Sequence, residues 1–121
     1  MSGMLHILFV CSANRLRSPT AENVFADWPG IEVASAGTDR QAEVGVTPEL
    51  LDWADVIFVM ERTHRQRLSQ KFRAHLKNQR IVCLNIPDEY DYMEPALIEL
   101  LRRRVIPHLP SPPAKDAPRP A

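Results

Sequence analysis

Apolar residues along this chain fall into short runs and periodic stripes that alternate in a regular order. Leu5-His6-Ile7-Leu8-Phe9-Val10 is a nearly continuous apolar run ending at Cys11, the pattern of a strand covered on both faces in a parallel sheet. A helix is predicted from Ser18-Pro19, where a capping hydroxyl precedes proline at the first helical position. Ala21, Val24, Phe25 and Trp28 then recur at helical spacing, and Pro29-Gly30 ends the stripe. Ile31 to Ala36 alternates as a second strand, positions 37–45 read as loop, and Thr47-Pro48 opens a short helix through Trp53. Val56 to Met60 is a third strand and Ile81 to Leu84 a fourth. Between them Leu68, Phe72 and Leu76 lie four apart in a helix from Thr63 to Leu76, and Leu97, Ile98, Leu101 and Val105 mark a last helix. Strands separated by helices of this length imply an α/β fold with a four-stranded parallel sheet and right-handed crossovers.

Composition sharpens this without changing it. With 121 residues, 45% of them hydrophobic, the chain supports one domain with a real core and not two. The expected division is a domain over residues 1–109 and a tail over 110–121, where Pro110, Pro112, Pro113, Pro118 and Pro120 oppose helix and ladder alike; the tail is expected to be disordered. The formal net charge is +0, so no global field draws the protein to nucleic acid or a lipid surface. Local charge is uneven: Arg62, Arg65, Arg67, Lys71, Arg73, Lys77 and Arg80 follow one another with no intervening acid. A solvated helix face is the ordinary reading of such a run. Phe72 is its only aromatic residue, which gives little support to RNA binding through stacking.

No segment reaches the ~20 apolar residues of a membrane span, and the N-terminal run has no basic leader, so a cytoplasmic protein without membrane partners is expected. Two cysteines, Cys11 and Cys83, argue against a disulfide framework in that compartment. Cys83, inside a predicted strand, is expected to be buried. His6, His64, His75 and His108 are scattered, with no spacing that pairs them to either cysteine, so no metal or other cofactor is expected. His64 and His75 fall on the basic helix and are expected to face solvent.

The candidate chemistry lies in Val10-Cys11-Ser12-Ala13-Asn14-Arg15-Leu16-Arg17-Ser18-Pro19. A cysteine and an arginine six positions apart stand between a buried strand and a helix start. In open α/β sheets ligands bind beyond the carboxyl ends of the strands, and a helix N-terminus with inward-facing N–H groups holds an anion. The phosphate-binding set is therefore Ser12, Ala13, Asn14, Arg15, Leu16, Arg17 and Ser18. A site that holds phosphate also favours a thiolate, which makes Cys11 a nucleophile. Arg17 supplies a planar fork for two phosphate oxygens, Ser18 can bond the sulfur, and Asn14 suits a tight turn.

These residues resemble the low-molecular-weight protein tyrosine phosphatases, whose hallmark is an N-terminal strand followed by Val-Cys-x5-Arg-Ser-Pro. Ser35-Ala36-Gly37-Thr38 is similar to the family's segment after its second strand, and Ala54-Asp55-Val56-Ile57-Phe58-Val59-Met60-Glu61 to its third-strand motif. The resemblance extends to about Arg104 and implies a flavodoxin-like three-layer sandwich and a phosphorylated substrate. It also implies hydrolysis through a phosphocysteine, with a late-loop aspartate protonating the leaving oxygen and then activating water. In Ile86-Pro87-Asp88-Glu89-Tyr90-Asp91-Tyr92 the acid would be Asp88, with Asp91 in competition, and Tyr90 and Tyr92 would flank the pocket mouth.

The chain departs from the family at Ala13, where glycine is usual, at Leu16, where a second cysteine is common, and at Arg15, where an apolar residue is common. Without that second cysteine, oxidation of Cys11 should advance more readily. The stretch from Thr38 to Asp55 is short and lacks a helix and part of the substrate wall, so a more open pocket is expected. Three alternatives stay open: a phosphatase for a nucleotide or RNA-end phosphate, an arsenate reductase coupled to an external thiol, and a phosphate-binding module without turnover. The oligomeric state is not readable.

Overall fold

The computed structural model describes residues 4–110. Its strands are β1 (Leu5–Cys11), β2 (Ile31–Gly37), β3 (Val56–Val59) and β4 (Arg80–Cys83), and its helices α1 (Arg17–Phe25), α2 (Pro48–Trp53), α3 (Arg62–Lys71) and α4 (Pro95–Val105). All strand pairs are parallel, in the order β2-β1-β3-β4. The order reverses beside β1: the chain leaves β1 for β2 on one flank and then crosses back to β3 on the other. That reversal opens a crevice at the carboxyl ends of β1 and β3, where doubly wound sheets bind ligands.

β1 is central because it can be: Ile7, Leu8, Phe9 and Val10 are all fully buried. Alternate residues feed two cores. On one face Ile7 and Phe9 pack with Phe25 of α1 and Leu97, Leu101 and Val105 of α4. Phe9 stacks on Phe25 and Phe58 at 5.9 and 5.5 Å. On the other face Leu8 and Val10 pack with Leu51 of α2 and Leu68 of α3. Helices on both faces of the four-stranded parallel sheet that the hydrophobic pattern predicts make the three-layer α/β sandwich that the resemblance implies.

Thr47 caps α2 as expected, its hydroxyl accepting from the Leu50 N–H at 3.2 Å, with Pro48 in the first turn. Three other boundaries differ. α1 begins at Arg17 and is preceded by Leu16, so Ser18 lies inside the helix and its hydroxyl is not a cap. α1 stops at Phe25, yet Trp28 still packs on the core beyond it. The expected helix from Thr63 to Leu76 is α3 followed by a 3₁₀ turn over Arg73–His75. That turn keeps Phe72 and Leu76 against the second core although the regular helix has ended.

Cys83 is also corrected: β4 is an edge strand, and the thiol is half-buried beside the Asn85 side chain. Of the expected tail, Pro110 is described, and its carbonyl accepts from the Trp28 indole at 3.1 Å. Positions 111–121 lie outside the described residues. Among the described residues, no helix is long and apolar enough to cross a membrane.

Candidate active site

β1 ends at Cys11, and the chain curls through residues 12–16 before α1 starts at Arg17. Asn14 makes this curl, with φ of 56°, a left-handed conformation that Asn tolerates better than most residues. Its side chain is 4% exposed and turned inward. Nδ2 donates to Ser18 Oγ at 2.9 Å and Ser35 Oγ at 3.0 Å, while Oδ1 accepts from the Val44 N–H at 3.1 Å. Ser35 donates in turn to Glu22. Because Asn14 donates into the Ser18 oxygen, the Ser18 hydroxyl proton is left for the Cys11 sulfur 2.9 Å away or the Ala36 carbonyl at 3.4 Å. The loop thus carries a relay of polar contacts that ends on sulfur.

The segment after β2 closes the loop from behind. Thr38 N–H donates to Cys11 O, Asp39 N–H to Ser12 O and Glu43 N–H to Ala13 O, each at 3.0 Å. These bonds occupy loop carbonyls, while no backbone N–H from 13 to 17 donates to another part of the chain among the described residues. A loop held by its carbonyls with free N–H groups is an anion nest at a helix start. Gly37 permits the close approach: a Cβ there would sit 2.4 Å from Ser12 O and 2.7 Å from Ala42 Cβ. This gives the Ser35-Ala36-Gly37-Thr38 segment its physical content.

Arg17 is 2% exposed and held from the ends of two other strands. Its Nη1 donates to Glu61 Oε1 at 2.7 Å and to Ile86 O at 2.8 Å. Its Nε lies 3.7 Å from Asp88 Oδ1. A cavity of about 400 Å³ is lined by Cys11, Ala13, Arg15, Leu16, Arg17 and Asp88. Nucleophile, guanidinium and carboxyl therefore meet in one space. Arg15 is exposed at its rim and pairs with Glu43 at 3.3 Å.

Ser12 and Asn14, expected to bind phosphate, turn their side chains away from that cavity and can contribute only backbone N–H groups to it. Asp91, Tyr90 and Tyr92 do not line it. Asp91 sits in the turn before α4, exchanging hydrogen bonds with Glu94, Tyr90 packs against the first core, and Tyr92 is half exposed beside Asn23.

Two residues of the site were not anticipated. Glu61 follows β3, which neighbours β1, so its carboxylate reaches Arg17. The doubly wound order itself points to that position. His64, expected in solvent, is 1% exposed: Nε2 meets Ser12 Oγ at 2.9 Å, and Nδ1 accepts from the Glu61 N–H at 3.0 Å. Burial, and then the Arg17 charge, lower its pKa to about 4. The spacing of Glu61 and His64 was its one signal, since an N-cap and third-position pair can bond reciprocally. Among the described residues, no group of three His, Cys, Asp or Glu side chains could hold a metal ion.

The family model of the low molecular weight phosphotyrosine protein phosphatases matches residues 6–53, from β1 through α2. No curated protein sequence matches the chain. Among solved structures, Wzb of Vibrio vulnificus in complex with benzylphosphonate is 24% identical, with a TM-score of 0.71 over 88% of this chain and 97% of that one. The tyrosine phosphatase Wzb of Escherichia coli K30 is 20% identical, with a TM-score of 0.70 over 87% and 96%. A YwlE mutant from Bacillus subtilis is 25% identical, with a TM-score of 0.59 over 82% and 95%.

Proposed function

We propose, from the match of residues 6–53 to the low molecular weight phosphotyrosine protein phosphatase family and the fold shared with its solved structures, that the chain is a member of that family and that Cys11, Arg17 and Asp88 hydrolyse a phosphomonoester in two steps. The family is one of cysteine-dependent phosphatases, and the match supports reading the chain as such an enzyme. The observation that carries the assignment of roles is the cavity that Cys11, Arg17 and Asp88 share at the free N–H groups of the loop.

Phosphate enters with its oxygens toward the N–H groups of residues 13–17 and the Arg17 guanidinium. The Cys11 thiolate attacks phosphorus, the bond to the leaving oxygen breaks, and Asp88 gives that oxygen its proton. Water then attacks the phosphocysteine, Asp88 takes the water's proton, and sulfur leaves as thiolate while the Ser18 hydroxyl donates to it. Arg17 follows the charge on the equatorial oxygens throughout. One structure of the YwlE arginine phosphatase carries a phosphorylated serine at its mutated active-site cysteine, which supports phosphoryl transfer to the side chain at this position.

The substrate on this reading is a phosphorylated one, and the related tyrosine phosphatases of Escherichia coli and Erwinia amylovora favour phosphotyrosine. One observation favours a second reading: among the described residues no aromatic side chain lines the cavity, and Arg15 stands at its rim. A small phosphomonoester with a further anionic group, such as a mononucleotide, suits that rim. Assays of p-nitrophenyl phosphate, phenyl phosphate, phosphotyrosine peptides, phosphoarginine and mononucleotides with wild type, Cys11→Ala, Asp88→Asn and Asp91→Asn test both parts. Turnover disappears in Cys11→Ala. Asp88→Asn loses about 100-fold or more on phenyl phosphate, in line with general acid contributions of that order, and Asp91→Asn loses little. Equal turnover by Cys11→Ala removes the nucleophile, and a larger loss in Asp91→Asn moves the acid.

A further inference from the structure

A single buried imidazole touches the catalytic loop and, through another residue, its arginine. We infer that His64 is a positioning residue: a neutral strut that fixes the loop through Ser12 and fixes Arg17 through Glu61. The inference rests on the phosphatase reading above and adds a residue to it.

The proton positions follow from the partners. The Glu61 backbone N–H can only donate, so Nδ1 of His64, 3.0 Å away, is the acceptor and carries no proton. The proton is therefore on Nε2, which donates to Ser12 Oγ at 2.9 Å. In return the His64 backbone N–H donates to the Glu61 carbonyl at 3.1 Å and faces the Glu61 side chain, the arrangement of a reciprocal capping box at the start of α3. The same Glu61 carboxylate accepts from Arg17 Nη1 at 2.7 Å.

Two paths leave one ring. The first reaches Ser12, whose carbonyl is already held by the Asp39 N–H, so that Ser12 is pinned from α3 and from the segment after β2. The second reaches Arg17 through a carboxylate whose rotamer the capping box sets.

The charge state suits the task. An imidazolium would set an Nδ1–H against the Glu61 N–H and place a second cation beside Arg17. The groups that act on the ring are Arg17 from α1, Glu61 and Arg67 from the start and body of α3, and Asp39 from the segment after β2. Together with burial they hold the pKa at about 4, so the ring is neutral wherever the enzyme works near neutrality. Its contribution is geometric. An arginine aimed a little wrongly stabilises the transition state less, and errors of this kind cost up to about 100-fold.

Double-mutant cycles separate this role from plain packing, because groups acting along one path are non-additive and independent defects add. The variants are His64→Leu, which loses both side-chain bonds, His64→Asn, which keeps an acceptor for the Glu61 N–H, Glu61→Gln and Ser12→Ala. Each is measured for kcat and KM on p-nitrophenyl phosphate, for orthovanadate affinity by calorimetry, and for stability in urea.

His64→Leu is expected to lower kcat about tenfold with KM nearly unchanged, and His64→Asn to recover a large part of that loss. The pair His64→Leu with Glu61→Gln, and the pair His64→Asn with Ser12→Ala, should each lose little more than their worse member. The second pair decides the matter if His64→Leu does not fold. Additive losses in both pairs, or a folded His64→Leu with wild-type kcat, overturn the proposal. Absence of turnover in the wild type would contradict the phosphatase reading instead, and the same cycles read by orthovanadate affinity would still decide His64.

Discussion

The Cys11 sulfur is backed by a chain of linked polar side chains. Ser18 faces it, Asn14 holds Ser18, and Ser35 holds Asn14. Buried polar groups linked in this way are costly to break singly, since each loss orphans a neighbour. Arg17 follows the same logic: a guanidinium at 2% exposure needs its charge balanced, and Glu61 and Asp88 balance it while Glu61 and Ile86 O hold Nη1. Gly37 is the least replaceable of the supporting residues. In Gly37→Ala the new Cβ would press on Ser12 O at 2.4 Å, a backbone atom that cannot swing aside. The expected cost is about 1–3 kcal/mol of stability, together with a loss of phosphate affinity larger than that of an equally destabilised core variant. Urea unfolding and phosphate titration of both variants check this, and unchanged stability would show that the segment after β2 has room to move.

At the level of elements, the site is assembled from strand ends. β1 contributes the loop, β3 contributes Glu61 and the start of α3, and the chain beyond β4 contributes Ile86 and Asp88. The capping box of α3 therefore links secondary structure to acid stability. The His64 pKa is lowered from 6.5 to about 4 in the folded protein, so between those values the unfolded chain binds a proton that the folded chain refuses. Stability is complete above about pH 6.5 and falls as pH drops toward 4, by about 3 kcal/mol from this group at the lower end. Urea midpoints measured from pH 7 to pH 4 should fall more steeply for wild type than for His64→Asn, which has no proton to bind. Parallel curves would mean that the ring is not buried neutral.

Taken whole, the molecule shows which features a single chain makes legible. The sheet and both cores could be read from periodicity, because the burial of β1 and the stripe of α4 are local patterns. The loop could be read because strand, cysteine, arginine and helix start are contiguous. His64 could not, since its burial depends on Ser12, 52 residues away in sequence, and a basic helix otherwise looks solvated. The Ser18 cap failed for a related reason: the hydroxyl has a better use on sulfur than at a helix end. The aromatic pocket mouth expected of Tyr90 and Tyr92 depended on how one loop docks, and Tyr90 docks inward. Passage of the phosphoryl group through Cys11 can be seen by trapping it there. Wild type and Cys11→Ala are mixed with p-nitrophenyl phosphate, quenched within the first turnovers under conditions that preserve a thiophosphate bond, and mapped by peptide mass spectrometry. One phosphoryl group is expected on the Cys11 peptide of the wild type, decaying as substrate is exhausted, and none in Cys11→Ala. Steady turnover with no phosphoryl group on Cys11, or with the group on another residue, would contradict passage through Cys11.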